Sequence, residues 1–354
     1  MSGRSGWTYA GLAAIVAVCV TAGALHFADA DPVAVFLVSA AALAGLAWVI
    51  GGATESVAVR FGPALTGVLQ TTLGNLPELF VVLFALSAGE VVVAQTSILG
   101  SLFANALLVL GLAIVAGSIA ARDGVMRFRK RLANDTATLL LLAVFIIVLL
   151  GLSDTVGDRA SQHSVAISAV GAVCLLVVYV LWLWSYLRGD GTEPALEEGA
   201  RVPFSFGVGI AVLAVAGLGA ALVSDWFVDA LDPAVTSLGI SKSFTGLVIV
   251  GIAGNAVENI VGITLAAKGR TDLAMSVIKN SVSQIAVFLF PALVLLSLFF
   301  EHRLTFVLAP VYIGALALTA LAVWQITGDG EAVAFEGWAL VALYIILAVL
   351  TFYE

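Results

Sequence analysis

The chain has 354 residues, 62% of them hydrophobic and 11% charged, with a mean hydropathy of +1.13 and a formal charge of −8. That composition excludes a soluble globular domain, and long apolar runs in place of short alternating segments exclude a membrane β-barrel. No basic, aromatic-rich face points to nucleic acid, and Cys19 and Cys174 lie in apolar runs as small hydrophobes.

Trp7 to Phe27 is the first apolar run, preceded by Arg4. Ala28-Asp29-Ala30 resembles a cleavage site, but the run is longer than a signal core, so residues 1–31 are read as a retained N-terminal membrane helix. Pro32 to Gly51 makes a second span, closing on Thr54-Glu55 and a polar link through Arg60 to Pro63. The third, Pro63 to Ser87, contains Gln70, Thr71, Thr72, Asn75 and Glu78, too polar to face lipid. Pro77 removes a backbone donor beside Gly74, which predicts a broken helix there. Glu90 to Ala120 is a fourth span, with Gln95, Ser101 and Asn105 near one face.

Arg122, Arg127, Arg129, Lys130 and Arg131 form a basic cluster, which the positive-inside rule assigns to the cytoplasm. Thr136 to Ser153 and Ser164 to Leu187 are the next two spans. Residues 189–202, rich in acids and turn formers, form a cytoplasmic linker between a first half, 32–188, and a second, 203–354. In the second half Pro203 to Val223, Ser243 to Ala267, Leu273 to Phe300, Leu304 to Ile326 and Ala332 to Phe352 are spans, with an acidic loop through Asp229 and Asp232. The eleven spans place the N-terminus in the cytoplasm and the C-terminus outside. The basic bias fits a bacterial inner membrane.

The third and eighth spans share a sequence. Gly74-Asn75-x-x-Glu78 returns as Gly254-Asn255-x-x-Glu258, 180 positions later, and Gly89 and Ser101 return as Gly269 and Ser281 without a gap. The two Glu-bearing spans are third and eighth, five steps apart in the span order, an odd number, so they cross the membrane in opposite directions, as inverted repeats do. A carboxylate at the centre of a membrane helix costs roughly 2.5 to 3.5 kcal/mol on insertion scales, which makes each acid a candidate functional residue. Two carboxylates with amide, hydroxyl and carbonyl oxygens suit a hard divalent cation, calcium wanting roughly six to eight oxygens. The same acids, desolvated together, can carry protons in its place. Glue between helices is the structural alternative. His26, His163 and His302 sit near helix ends and are read as interfacial.

Gly74-Asn75-x-x-Glu78-Leu79 through Gly100-Ser101-x-x-x-Asn105, and Gly254-Asn255-Ala256-x-Glu258 through Ser281-x-Ser283-Gln284, resemble the two alpha repeats of the calcium/cation antiporter superfamily, in its calcium/proton exchanger branch. The likeness implies an all-α integral membrane protein with ten core helices in two inverted fives plus one extra N-terminal helix, the alpha motifs spanning 63–120 and 243–300. It implies that Glu78 and Glu258 bind calcium or protons in turn, with Asn75, Asn255, Ser101, Asn105, Ser281 and Gln284 lining the site. It implies a secondary transporter working by alternating access, not an enzyme, with no cofactor beyond the transported calcium and protons; its partners are calcium or another divalent cation, protons, with sodium as the alternative counter-ion, and the lipid bilayer. A sodium-coupled or other cation exchanger is the runner-up, because Pro77-Glu78 resembles the sodium branch. Against it, Gln284 and no acid stands on the ninth span. A sensor or scaffold that kept the fold is the alternative of a different class. Asn259 stands where the proton branch often has His, and Lys279-Asn280 where the family pattern has an apolar residue and Gly. Lys279, deep in the ninth span, is expected to snorkel to the interface, to be neutral, or to pair with Glu78 or Glu258 and modulate the site.

Overall fold

The computed structural model describes residues 3–58, 73–188 and 203–354, with the side chains of 3–9, 58, 131–133, 136, 186–188, 257 and 258 outside the description. The helices are α1 Gly3–Phe27, α2 Pro32–Ala58, α3 Leu76–Ser87, α4 Val91–Ala120, α5 Lys130–Val156, α6 Ser164–Arg188, α7 Phe206–Asp229, the short α8 Leu231–Leu238, α9 Lys242–Gly254, α10 Ala256–Ala267, α11 Thr271–Ser297, α12 Pro310–Thr327 and α13 Ala334–Phe352. Among the described residues nine helices are long and apolar enough to cross a membrane, ten if the α8–α9 pair, bent by 113°, is one span. The expected third span is represented by α3 alone, since 59–72 lie outside the description.

Several boundaries differ from the sequence reading. The stretch from 301 to 309 is irregular and α12 starts at Pro310, because the residue before a proline avoids helical backbone. Asp225 and Asp229 lie within α7 and Asp232 within α8, so the acidic loop is mostly helical. A two-stranded antiparallel ladder, β1 Val125–Arg127 with β2 Glu331–Val333, was not foreseen; three-residue strands carry no periodic signal.

The connections sort into two ends of the bundle. At the basic end the β1–β2 ladder joins the α4–α5 and α12–α13 links, Thr271 Oγ1 donates to Arg127 O at 2.5 Å, and Arg129 Nε lies 3.3 Å from Asp272. Here the hydrogen bond from the Arg127 guanidinium, 2.6 Å away, holds the Asp123 carboxyl below the usual carboxylate range. At the other end Lys242 Nζ contacts Glu90 at 2.8 Å and Asp232 at 2.5 Å, the Gly89 turn lies against His302, and His26 stacks on Trp226. This end is acidic, carrying Asp29, Asp31, Asp154, Asp158, Asp225, Asp229, Asp232 and Glu301 against Arg159, Lys242 and Arg303. Thus α3 finishes at the acidic end and α10 at the basic end, and the two Glu-bearing helices run in opposite senses.

The core is built around α4 and α9, which cross at glycines. A Cβ on Gly100 would lie 2.3 Å from Leu247 O, one on Gly251 2.5 Å from the Gly100 carbonyl carbon, and one on Gly246 2.1 Å from Thr96 Oγ1. Small residues let membrane helices approach to backbone contact, where dispersion and weak hydrogen bonds replace the hydrophobic effect.

Candidate functional site

The two Gly-Asn-x-x-Glu words have the same backbone. Asn75 breaks the helix before α3 at φ −84°, ψ 11°, and Asn255 breaks it before α10 at φ −98°, ψ 18°. Each following helix has 12 residues and ends at a left-handed glycine, Gly89 at φ 81° and Gly269 at φ 73°. A π-helical turn then appears in both copies, at Ala104–Val109 in α4 and Ile285–Leu289 in α11. The break falls at the asparagine, two residues before Pro77, which sits in the first turn of α3 where its missing N–H costs no hydrogen bond. π-turns are frequent at functional sites.

Glu78 lies in the first turn of α3. Its side chain is 1% exposed and stands on Gly254, whose missing side chain makes the room: a Cβ there would lie 2.5 Å from Glu78 Oε1. The acid of the first copy therefore rests on the first residue of the second copy's motif. Ser101 Oγ donates to Glu78 Oε1 at 3.5 Å. One turn on, Asn105 Nδ2 donates to Asn255 Oδ1 at 2.8 Å and to Ser101 O at 3.0 Å, while Asn255 Nδ2 donates to Gly251 O at 3.0 Å. Asn75 is 4% exposed at the break.

Glu78, Ser101, Asn105 and Asn255 thus form one contiguous polar chain where α3, α4 and α9 meet. Ser281 and Gln284 are 1% and 2% exposed on α11, which packs against the π-turn of α4. Asn105 Oδ1, Ser281 Oγ and Gln284 Oε1 are buried oxygens with no hydrogen-bond partner among the described residues, so their lone pairs are available to a ligand. Glu258 occupies the first turn of α10 by its backbone; its side chain lies outside the description.

Two expectations change. Gln95 does not line a path with Ser101 and Asn105; its Nε2 donates to Val307 O at 3.0 Å and Thr305 O at 3.4 Å, satisfying the irregular stretch before α12. Lys279 does not snorkel: it is 2% exposed and its Nζ lies 2.5 Å from Thr327 Oγ1 in the last turn of α12. Gly254 as the seat of Glu78 was missed, although the glycine cluster at 246, 251 and 254 was readable as a close-packing signal.

A family model described as "Sodium/calcium exchanger protein" matches residues 32–187 and 208–353. The chain belongs to the sodium/calcium exchanger protein family. Among relatives of this family member, a protein named Ca(2+)/H(+) antiporter from Aphanothece halophytica is 31% identical, covering 93% of this chain and 92% of the relative. Ca(2+)/H(+) antiporter ChaA of Bacillus subtilis is 31% identical with 96% of each chain covered. The solved structure of native YfkE superposes with a TM-score of 0.82 at 29% identity, covering 98% of this chain and 99% of that one. As a family member, the chain is an integral membrane protein of this transporter fold.

Proposed function

We propose that the chain exchanges calcium for protons across a membrane, with Glu78 and Glu258 taking the calcium ion or protons in turn. The observation that carries this reading is the burial of Glu78 on Gly254, at the junction of the two copies, with Ser101 within reach. Two desolvated carboxylates at one site cannot both remain ionised without a cation. A divalent ion neutralises both; when it leaves, protons do. Oxygens of Asn75, Asn255, Ser101, Asn105, Ser281 and Gln284 would complete the coordination of calcium, the transported substrate. The names of the relatives, Ca(2+)/H(+) antiporters over nearly their whole length, support protons as the counter-ion.

In this reading residues 32–188 and 203–354 are two inverted halves, and the site alternates between the ends of the bundle as one half rocks on the other. The basic end, with the N-terminus and the 189–202 linker, faces the cytoplasm, of a bacterial inner membrane, and Glu354 lies outside. Single cysteines placed at Asp29, in the linker and at Glu354 would be labelled from the outside at the first and third only.

The test is flux in proteoliposomes with calcium inside and pH and sodium gradients imposed separately. A pH gradient alone should drive calcium movement. Movement driven only by sodium would transfer the reading to a sodium-coupled exchanger, and no flux under either gradient would favour a non-transporting sensor or scaffold.

A further inference from the structure

The duplication reaches past the Glu-bearing helices into the links that follow them. α5 starts at Lys130 and α12 at Pro310, equivalent positions of the two copies, and each is preceded by a non-helical strap, 125–129 in the first copy and 305–309 in the second. The straps bury equivalent side chains, Met126 with Phe306 and Phe128 with Leu308. Each strap is also bound at the same carbonyl. Gln95 Nε2, in the second turn of α4, donates to Val307 O at 3.0 Å, and Thr271 Oγ1, in the first turn of α11, donates to Arg127 O at 2.5 Å. Positions 127 and 307 are equivalents, but the donors are not: Val91 stands where Thr271 would fall in the first copy, and Met275 where Gln95 would fall in the second. In both cases the strap belongs to one copy and the helix it binds to the other.

Further bonds set each strap in place. At the acidic end Leu304 N donates to Ser297 Oγ at 2.9 Å and Phe306 N to Ser168 Oγ at 3.1 Å. At the basic end Arg129 N donates to Asp272 Oδ1 at 2.8 Å, and the Arg129 guanidinium lies 3.3 Å from the same carboxylate. What the straps hold is the pair of hairpins that carry the acids, since α3 turns into α4 at Gly89 and α10 into α11 at Gly269. Along α4, Gln95 lies about 9 Å from Ser101, the donor to Glu78, at 1.5 Å per residue. We infer that Gln95 and Thr271 are positioning residues for the cation site, each tying the hairpin of one glutamate to a strap of the opposite copy and so fixing the spacing of the two acids. Ligands drawn from separate hairpins bind an ion more tightly when their spacing is already set, because ordering them otherwise costs binding energy. The two grips differ in chemistry. The acidic-end grip is neutral and partly buried, whereas the basic-end grip includes an exposed ion pair, so salt weakens only the second. The effect on calcium rests on the reading of Glu78 and Glu258 as its ligands; the grips themselves do not.

The experiment uses the full chain with Gln95→Met and Thr271→Val, which keep the side-chain size and remove the donor, and Thr271→Ser, which restores it. Backbone deuterium uptake by the purified protein reads the grips without transport. Gln95→Met should speed uptake at the Gly89 hairpin and Thr271→Val at the Gly269 hairpin, with Thr271→Ser at the parent rate. Calcium flux driven by a pH gradient in proteoliposomes reads the effect on the site. Gln95→Met and Thr271→Val should each raise the KM for calcium roughly two- to tenfold, the range of one lost hydrogen bond, with little change in maximal rate. Thr271→Ser should return the KM to the parent value. Unchanged deuterium uptake at both hairpins would overturn the grips, and faster uptake with an unchanged KM would overturn the positioning role. If Gln95→Met does not fold, Thr271→Val, at the exposed end, carries the test alone. A parent chain that moves no calcium overturns the transport reading and with it the effect on calcium, while the grips are still judged by deuterium uptake.

Discussion

The two copies of the Gly-Asn-x-x-Glu word share a backbone and divide the chemistry. Helix break, 12-residue helix, left-handed glycine and π-turn recur at equivalent positions, yet the helices that follow, α4 and α11, carry different loads. In α4, Leu99 and Gly100 precede Ser101, and Gly100 touches the backbone of α9. In α11 the equivalents are Lys279 and Asn280, followed by Ser281. Asn105 of the first copy, bonded across to Asn255, is matched by Ile285, while the second copy offers Gln284 where the first has Ala104. The first copy uses its backbone for closeness, the second its side chains for polarity. Symmetry of the fold therefore does not make the site symmetric, and exchanging residues between copies tests which differences matter.

The largest effect is expected where the copies agree. Glu78→Gln and Glu258→Gln should each abolish calcium/proton exchange in proteoliposomes while the purified protein remains monodisperse, since each removes a cation ligand and a proton carrier. Near-normal flux in either variant would dissolve the equivalence of the two acids. Next is the packing difference. Gly100→Asn, which gives the first copy the second copy's residue, drives a Cβ into Leu247 O and should cost about 1–3 kcal/mol or more, read as a fall in melting temperature in detergent. The reverse, Asn280→Gly, should stay within about 1 kcal/mol of the parent.

A smaller change follows from Asn105→Ile. It removes the bond to Asn255, worth on the order of 0.6 kcal/mol for an interhelical hydrogen bond in a membrane, and takes Asn105 Oδ1 from the site. Calcium affinity should fall with little loss of melting temperature, and an unchanged affinity would remove Asn105 from the ligand set. The smallest effect is expected from Lys279→Leu, the first copy's residue at that position. Replacing a buried polar side chain together with its role in packing by an apolar one of similar size is often close to neutral for stability. Calcium affinity and its pH dependence in this variant, measured beside the parent, report whether Lys279 acts on the cation site. If affinity, pH dependence and transport current are all unchanged, Lys279 acts only in packing against Thr327.

Much of this was readable in the sequence because membrane solvation leaves few options: apolar runs fix the spans, and a carboxylate inside one needs a reason. The duplication, the broken helices and the direction of the two Glu-bearing spans followed from that. Contacts between distant segments were not readable. Nothing local in Gln95 says that it serves the carbonyls of Thr305 and Val307 instead of an ion path, and nothing in Lys279 says that Thr327 receives it. Residues 304–309 are hydrophobic enough to pass for helix, and only Pro310 marks where the helix begins. The seat of Glu78 on Gly254 is legible only when the two copies are folded against each other.

The central claim is that one site holds either calcium or protons on two repeated acids. The most direct measurement is proton release on calcium binding to the purified chain, by titration calorimetry in buffers of different ionisation enthalpy at pH values around the binding midpoint. The expected result is calcium binding accompanied by proton release, with both lost in Glu78→Gln and in Glu258→Gln. Calcium binding without proton release at every pH, or release that persists in either variant, would contradict it.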